Sequence, residues 1–130
     1  ETLEAQDALV RQGKVRHVGC SNYTGAQLTA AIGASAGRKL APFVSAQNRY
    51  SLLTRDVEQD LVPVCLANGI GILPYFPLES GLLSGKYRKG EPLPEGSRFA
   101  RWRGGGTFAS DARYAIVDKL AAYGESRGRT

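Results

Sequence analysis

Four stretches of the chain have apolar positions three or four residues apart, the spacing of an amphipathic helix. The first contains Leu3, Gln6, Leu9 and Val10, with the glutamine as its polar member. Thr24 and Gln27 form a capping-box pattern at the start of the second. Thr54 is predicted to cap the third, in which Pro63 should kink the helix or end its first part. Ser110 precedes the last.

Three short apolar runs between these helices predict strands over residues 14–20, 42–46 and 71–74. Strands that alternate with amphipathic helices are typical of parallel sheets with right-handed crossovers. The predicted order is helix, strand, helix, strand, helix, strand, a long loop over 79–109 that is rich in glycine, and a final helix. The chain is therefore predicted to have an α/β fold. Its length corresponds to about one domain.

A polar or aromatic side chain stands at or just after the end of each predicted strand. These are Ser21 and Asn22, then Gln47, then Tyr75. Because such junctions lie at one edge of a parallel sheet, we expect the four side chains to be neighbours. Carboxamides and a hydroxyl beside a flat aromatic ring suit a flat ligand that bears an amide. The alternative interpretation is that Asn22 and Gln47 cap loops and that Tyr75 belongs to the core.

Composition narrows the class of protein. Hydrophobic residues make up 42% and charged residues 22%, an ordinary globular mixture. No apolar run approaches the roughly 20 residues that span a bilayer, and no leader-like segment opens the chain. Cys20 and Cys65 lie in apolar runs, which predicts packed thiols in a reducing cytosol. His17, the single histidine, is interpreted as a mid-strand residue away from any chemistry, and one histidine cannot form a site of several histidines, so we expect no metal site. Together with the cysteines and the lack of a long apolar run, this predicts a cytoplasmic protein without a membrane partner.

Much of the formal net charge of +5 comes from one part of the chain: Lys86, Arg88, Lys89, Arg98, Arg101 and Arg103. The segment 101–103, an arginine pair around a tryptophan, precedes three glycines. It could bind nucleic acid by stacking on the bases and by attracting the phosphates. The interpretation that we favour is a surface loop that closes over a cofactor, with Lys86 as a loop cation. We therefore expect no nucleic-acid partner.

Three segments, 13–23, 45–53 and 71–87, together resemble the aldo-keto reductase family. They read GKVRHVGCSNY, SAQNRYSLL and GILPYFPLESGLLSGKY, and they occur in the family's order and at its usual separations. The resemblance implies the (β/α)8 TIM barrel, of which this chain looks like strands five to seven with their helices. Residues 1–130 are then expected to be part of a single barrel domain. Both ends look cut, which indicates a piece of something larger or a partly observed protein.

The resemblance also implies roles for individual residues. Ser21, Asn22 and Gln47 match residues that hydrogen-bond the nicotinamide carboxamide, and Tyr75 matches the aromatic that stacks on the nicotinamide ring. A further set of residues matches the family's loop that runs along the cofactor pyrophosphate and contacts it largely through backbone N–H groups. This set consists of Phe76, Pro77, Leu78, Gly81 and Leu82, with Ser84 as a further candidate. The implied cofactor is NADPH, and NADH is not excluded. The family's catalytic Asp, Tyr, Lys and His come from its first four strands, and nothing in this sequence matches them.

The function implied is NAD(P)H-dependent reduction of aldehydes or ketones to alcohols, with a small-molecule carbonyl substrate. This chain would supply the nicotinamide-binding rim without the catalytic residues, so the 130 residues alone are expected to be inactive. The alternative is a non-catalytic, cofactor-sensing regulatory subunit of the same fold, like the potassium-channel β subunits. A three-stranded sheet has two open edges, which predicts that these residues alone depend on further residues or self-associate.

Overall fold

The computed structural model describes residues 1–102 and 106–129, which divide into two units. Residues 1–50 and 54–75 form the first unit, and residues 51–53 with the chain from Phe76 onward form the second. The segment that the sequence offers as a nucleic-acid grip extends over Arg103, Gly104 and Gly105, which lie outside the described residues.

The first unit alternates helices with the strands of a parallel sheet. Its helices are α1 (Thr2–Arg11), α2 (Gly25–Arg38) and α3 (Val57–Ala67), and its strands are β1 (Val18–Ser21), β2 (Phe43–Arg49) and β3 (Gly71–Tyr75). β2 lies in the middle and pairs in parallel with both neighbours. The predicted alternation is confirmed. β1 and β3 each pair with a single strand among the described residues, and self-association through these edges stays a prediction.

Local sequence sets several of these boundaries, and the capping box of α2 is as predicted. The Thr24 hydroxyl accepts a hydrogen bond from the Gln27 amide at 3.2 Å, and the Gln27 side-chain oxygen accepts one from the Thr24 amide at 2.9 Å. The capping box therefore satisfies two amides at the start of α2. Gly13 and Gly69 follow the ends of α1 and α3 with φ of +68° and +63°, which a glycine adopts without steric cost.

The first strand begins later than the sequence predicts. The amides of Lys14 and Val15 both donate to the Leu9 carbonyl, at 3.0 and 3.4 Å, and so complete the end of α1. Because these two residues are held in the helix end, β1 starts only at Val18. The interpretation of His17 as a mid-strand residue is wrong, since it lies exposed just before the strand.

Two other boundaries also differ from the prediction. β2 continues to Arg49 because its last residues pair with β3, so Gln47 lies inside the strand rather than at its end. Thr54 does not cap α3, which starts at Val57 with Asp56 at its N-cap, and the helix runs on through Pro63. Proline in a helix interior costs about 3 kcal/mol. The helix face is buried on both sides of the proline, and this burial opposes the cost.

The core of the first unit lies between the sheet and helices α2 and α3. Leu28 from α2 and Leu61 from α3 have no exposed surface. Full burial of one such side chain contributes about 1.5–3 kcal/mol. The other buried members are Cys20, Phe43, Ala46, Cys65 and Ile70. Both cysteines are free thiols, and burial raises the pKa of each, as expected for packed thiols.

The second unit consists of short helical turns and one long helix. Two 3-10 segments occupy Glu79–Ser84 and Gly106–Ala109, a single helical turn, α4, spans Arg98–Arg101, and α5 spans Asp111–Ser126 after an N-cap at Ser110. The stretch that the sequence predicts to be one long loop therefore contains helical elements. The unit has its own core, formed by Leu82, Tyr87, Phe99, Tyr114 and Val117. In the part of the chain that the structure describes, no helix has both the length and the apolar character to cross a membrane.

Two glycines of α2 make a matched pair for testing the packing of the first unit. A Cβ at Gly25 would lie 2.4 Å from the Asp60 carbonyl oxygen in α3, whereas a Cβ at Gly33 would meet nothing within 4 Å. We expect Gly25→Ala to lower the free energy of unfolding by about 1–3 kcal/mol, because backbone atoms must move. Gly33→Ala should raise it by about 0.5–1 kcal/mol. Urea denaturation of the complete protein that contains this chain measures both, and equal effects would contradict the close approach of α2 to α3.

Candidate functional site

The four residues predicted to gather at the carboxyl ends of the strands are joined by hydrogen bonds in the first unit, Gln47 through its main-chain carbonyl rather than its side chain. Ser21 pairs with Gln47 in register. The Gln47 carbonyl accepts hydrogen bonds from the Asn22 amide at 2.9 Å and from the Ser21 hydroxyl at 3.0 Å. The Tyr75 hydroxyl donates to Asn22 Oδ1 at 2.8 Å. We call Ser21, Asn22, Gln47 and Tyr75 the strand-end cluster.

The strand-end cluster presents polar groups beside a partly exposed ring. The Gln47 side chain is exposed, so its amide offers both a donor and an acceptor. Asn22 accepts from Tyr75 through Oδ1, which leaves Nδ2 as its donor. Asn22 also has φ of +58°, a conformation that asparagine tolerates better than most residues. The cluster can therefore exchange hydrogen bonds with an amide while an aromatic face lies next to it.

A cleft of about 340 Å³ opens beside Asn22 and Tyr75 and is also lined by Asn48 and Arg49. Asn48 is 8% exposed, and its Nδ2 donates to the Tyr23 carbonyl at 3.1 Å. Its Oδ1 is buried without a hydrogen-bond partner among the described residues. Asn48 was not predicted as a site residue. The one feature of the sequence that could have indicated it is a second carboxamide directly after Gln47.

The second unit contains a cavity of about 440 Å³, which we call the loop pocket. Its lining residues are Phe76, Pro77, Leu78, Ser80, Gly81, Ser84, Lys86 and Arg98. Five of the six residues that the sequence assigns to a cofactor loop line it. The sixth, Leu82, does not: its side chain has no exposed surface and fills the core of the unit. The backbone role that the resemblance implies for Leu82 stays a prediction.

Two cations distinguish the loop pocket from an apolar cavity. Lys86 folds back over Gly81, where a Cβ would lie 2.7 Å from Lys86 Cε and 3.0 Å from Nζ. The absence of a side chain at Gly81 therefore leaves room for the lysine. Arg98 lines the same pocket. The sequence predicts Lys86 to be a loop cation and gives Arg98 no role beyond local positive charge, because nothing local indicates that the two residues share a pocket.

An aromatic stack brings these two cations together. Tyr87, next to Lys86, stacks on Phe99, next to Arg98, with ring centroids 4.0 Å apart and planes 3° from parallel. The Phe99 amide also donates to the Tyr87 hydroxyl at 3.2 Å. Burial alone would raise the pKa of that hydroxyl, but hydrogen bonds with Phe99 and Ser97 and the nearby Lys86 ammonium bring it below its ordinary value. The stack fixes residues twelve positions apart in sequence at one cavity.

The chemistry available in the loop pocket is that of an anion site. Two cations and two serines line it, together with small residues that allow close approach to the backbone, and the Ser84 hydroxyl donates to the Gly81 carbonyl at 2.6 Å. Ser80 is 7% exposed, and its hydroxyl is buried without a hydrogen-bond partner among the described residues. A phosphate oxygen would satisfy that hydroxyl. Within residues 1–102 and 106–129, no group of three His, Cys, Asp or Glu side chains is arranged to hold a metal ion.

Comparison with known proteins identifies a family for this chain. The model of the "Aldo/keto reductase family" matches residues 1–130. The uncharacterized oxidoreductase YrpG of Bacillus subtilis is 38% identical over 89 residues, which cover 68% of this chain and 27% of YrpG. A probable voltage-gated potassium channel subunit beta of Arabidopsis thaliana is 36% identical over 101 residues, which cover 77% of this chain and 30% of that protein. The chain thus spans less than a third of either relative.

A solved structure shows the same fold. The glycerol dehydrogenase AKR11B4 from Gluconobacter oxydans superposes with a TM-score of 0.75 at 24% identity, covering 100% of this chain and 38% of that one. Its match over the whole chain confirms the predicted α/β architecture as part of a TIM barrel. On the family match, which extends over every residue, the chain belongs to the aldo/keto reductase family.

Proposed function

We propose that the complete protein containing this chain is an NAD(P)H-dependent oxidoreductase that reduces aldehydes or ketones to alcohols. The chain would contribute the residues that hold the cofactor. The observation that carries the proposal is the strand-end cluster, in which the Gln47 main-chain carbonyl accepts hydrogen bonds from Ser21 and Asn22, and the Asn22 side chain accepts one from Tyr75. Membership of the aldo/keto reductase family supports the same conclusion.

The strand-end cluster fits a nicotinamide. Gln47, with Asn22 Nδ2 and the Ser21 hydroxyl, would hydrogen-bond its carboxamide, and the Tyr75 ring would stack on its flat face. The bound cofactor would supply the hydride, so these residues act by orientation. A stacked ring leaves only one face of the nicotinamide open to a substrate.

The loop pocket fits the other chemical part of such a cofactor, its phosphates. Lys86 and Arg98 would neutralise the negative charge, and Ser80 would donate a hydrogen bond to a phosphate oxygen. The Ser84 hydroxyl, in contrast, already donates to the Gly81 carbonyl. The unpartnered Ser80 hydroxyl and the glycine that makes room for Lys86 support this fit. We propose NADPH as the cofactor because of the family resemblance. NADH has the same nicotinamide and the same pyrophosphate.

A second candidate function is supported by the potassium-channel β-subunit relative. In that case the complete protein would use the bound cofactor to sense or regulate, without turnover of a carbonyl substrate. The cofactor-binding residues proposed here would be the same under both functions. The difference lies in the catalytic Asp, Tyr, Lys and His of the family, which this sequence does not supply.

Catalysis is tested by following the absorbance of NADPH as simple aldehydes and ketones are added to the complete protein. We expect a loss of absorbance that depends on the carbonyl compound, and no turnover by the 130-residue chain alone. Binding of NADPH without turnover would favour the regulatory function. Turnover by the 130-residue chain would show that a catalytic group has been overlooked within it.

The aromatic role of Tyr75 is tested by separating its ring from its hydroxyl. Tyr75→Ala should weaken NADPH binding by about 0.5–1.5 kcal/mol, because a stacking contact is lost. Tyr75→Phe keeps the ring and loses only the hydrogen bond to Asn22, so it should retain most of the affinity. Calorimetric titration with NADPH measures both variants. An unchanged affinity for Tyr75→Ala would assign the ring to packing instead.

The role of the loop-pocket cations is tested with a neighbour as control. Arg98→Ala and Lys86→Ala should each weaken NADPH binding by about 1–2 kcal/mol, since each removes a charged hydrogen-bond donor. The loss should shrink as salt is added. Arg88→Ala changes an exposed arginine of the same stretch that does not line the pocket, and it should bind like the unmodified protein. An equal loss in Arg88→Ala would indicate general attraction by positive charge.

A further inference from the structure

A fully buried carboxylate lies beside the loop pocket without lining it. Glu79 has no exposed surface. Its Oε2 accepts a hydrogen bond from Arg113 Nη1 of α5 at 2.7 Å, and its Oε1 accepts one from the Ser51 hydroxyl. A buried charge is tolerated only when it is paired and hydrogen-bonded, and here both oxygens have partners. One side chain thus connects three separate segments of the second unit.

The backbone at this position is in an unfavourable conformation. Glu79 has φ of +48° and Ser80 has φ of +57°, and Gly81 follows with φ of +99°. Residues with a side chain avoid this left-handed region because Cβ crowds the carbonyl oxygen. Such strain persists where the surroundings over-determine the conformation. The bonds of Glu79 to Ser51 and Arg113 supply that constraint from outside the turn.

The turn held in this way carries two residues that shape the loop pocket. Ser80 follows Glu79 directly and lines the pocket, and its hydroxyl is buried without a hydrogen-bond partner among the described residues. Gly81 comes next and leaves the space through which Lys86 folds back. If the turn relaxed, the serine could rotate toward another partner and the lysine would lose its place. The conformation that suits an anion is therefore set before any anion arrives.

We propose that Glu79 is a positioning residue for the pyrophosphate of the cofactor, with Arg113 and Ser51 as the groups that fix its carboxylate. This inference rests on the proposed function, in which pyrophosphate occupies the loop pocket. Glu79 has the wrong charge to bind phosphate and does not line the cavity. Its effect is preorganisation, which strengthens binding by removing the cost of ordering the turn on association.

The test uses Arg113, because this partner lies on α5 and does not line the loop pocket. In the complete protein, Arg113→Met should weaken binding of inorganic pyrophosphate and of NADPH by about tenfold, as measured by calorimetric titration. Arg113→Lys, which keeps the charge, should recover most of the loss. Binding of reduced nicotinamide riboside, which has no phosphate, should change less than about twofold. Arg127→Met, at an exposed arginine just after the same helix, should match the unmodified protein for every ligand.

Ser51→Ala provides an independent variant that removes one hydrogen bond to Glu79, together with the bond that the Ser51 hydroxyl accepts from the Leu53 amide. It should weaken pyrophosphate binding by about threefold and decides the question if Arg113→Met does not fold. A lowered melting temperature with unchanged pyrophosphate affinity would overturn the positioning role. An equal loss of nicotinamide riboside binding would also overturn it. If the unmodified protein binds neither pyrophosphate nor NADPH, the proposed function itself fails, which is a different outcome from the other two.

Discussion

Parallel pairing of β2 with β1 and with β3 determines which side chains meet at the carboxyl edge of the first unit. The register places Ser21 opposite Gln47. The Gln47 carbonyl then accepts two hydrogen bonds at the end of β1, from the Ser21 hydroxyl and the Asn22 amide. Gly19 permits this pairing, because a Cβ there would lie 2.4 Å from the Ser45 hydroxyl oxygen. A shift of β1 by one residue would turn Ser21 to the opposite face of the sheet and remove it from Gln47. The strand-end cluster is thus a consequence of register.

The second unit relies on an aromatic stack for the same purpose. Tyr87 and Phe99 are almost fully buried, and an aromatic pair adds about 0.5–1.5 kcal/mol beyond the area that it buries. Because Lys86 and Arg98 are their chain neighbours, the pairing that builds the core also places two cations at one cavity. Core packing and ligand chemistry are therefore coupled in this unit. A change that disturbs the stack should affect both stability and anion binding.

Features encoded in a few adjacent residues could be predicted from the sequence, and features that depend on distant residues could not. The capping box at Thr24 is local and was predicted fully. The end of β2 depends on pairing with β3, so the sequence places Gln47 at the end of a strand that in fact continues. The positions of four residues at strand ends predicted the strand-end cluster, and the family resemblance predicted most of the pocket lining. No local pattern separates Arg98, which lines the pocket, from Arg88, which does not.

The distribution of backbone strain connects fold and function. Of the five non-glycine residues with positive φ among the described residues, Lys39 ends a helix. The other four, Asn22, Phe76, Glu79 and Ser80, all lie within the few residues that follow a strand. Left-handed residues cost roughly 1–3 kcal/mol each, so their concentration at these turns needs a compensating gain. Each turn carries residues of the strand-end cluster or the loop pocket. Glycine would adopt these conformations without that cost, whereas Asn22 and Ser80 have side chains that the proposed function assigns to cofactor binding.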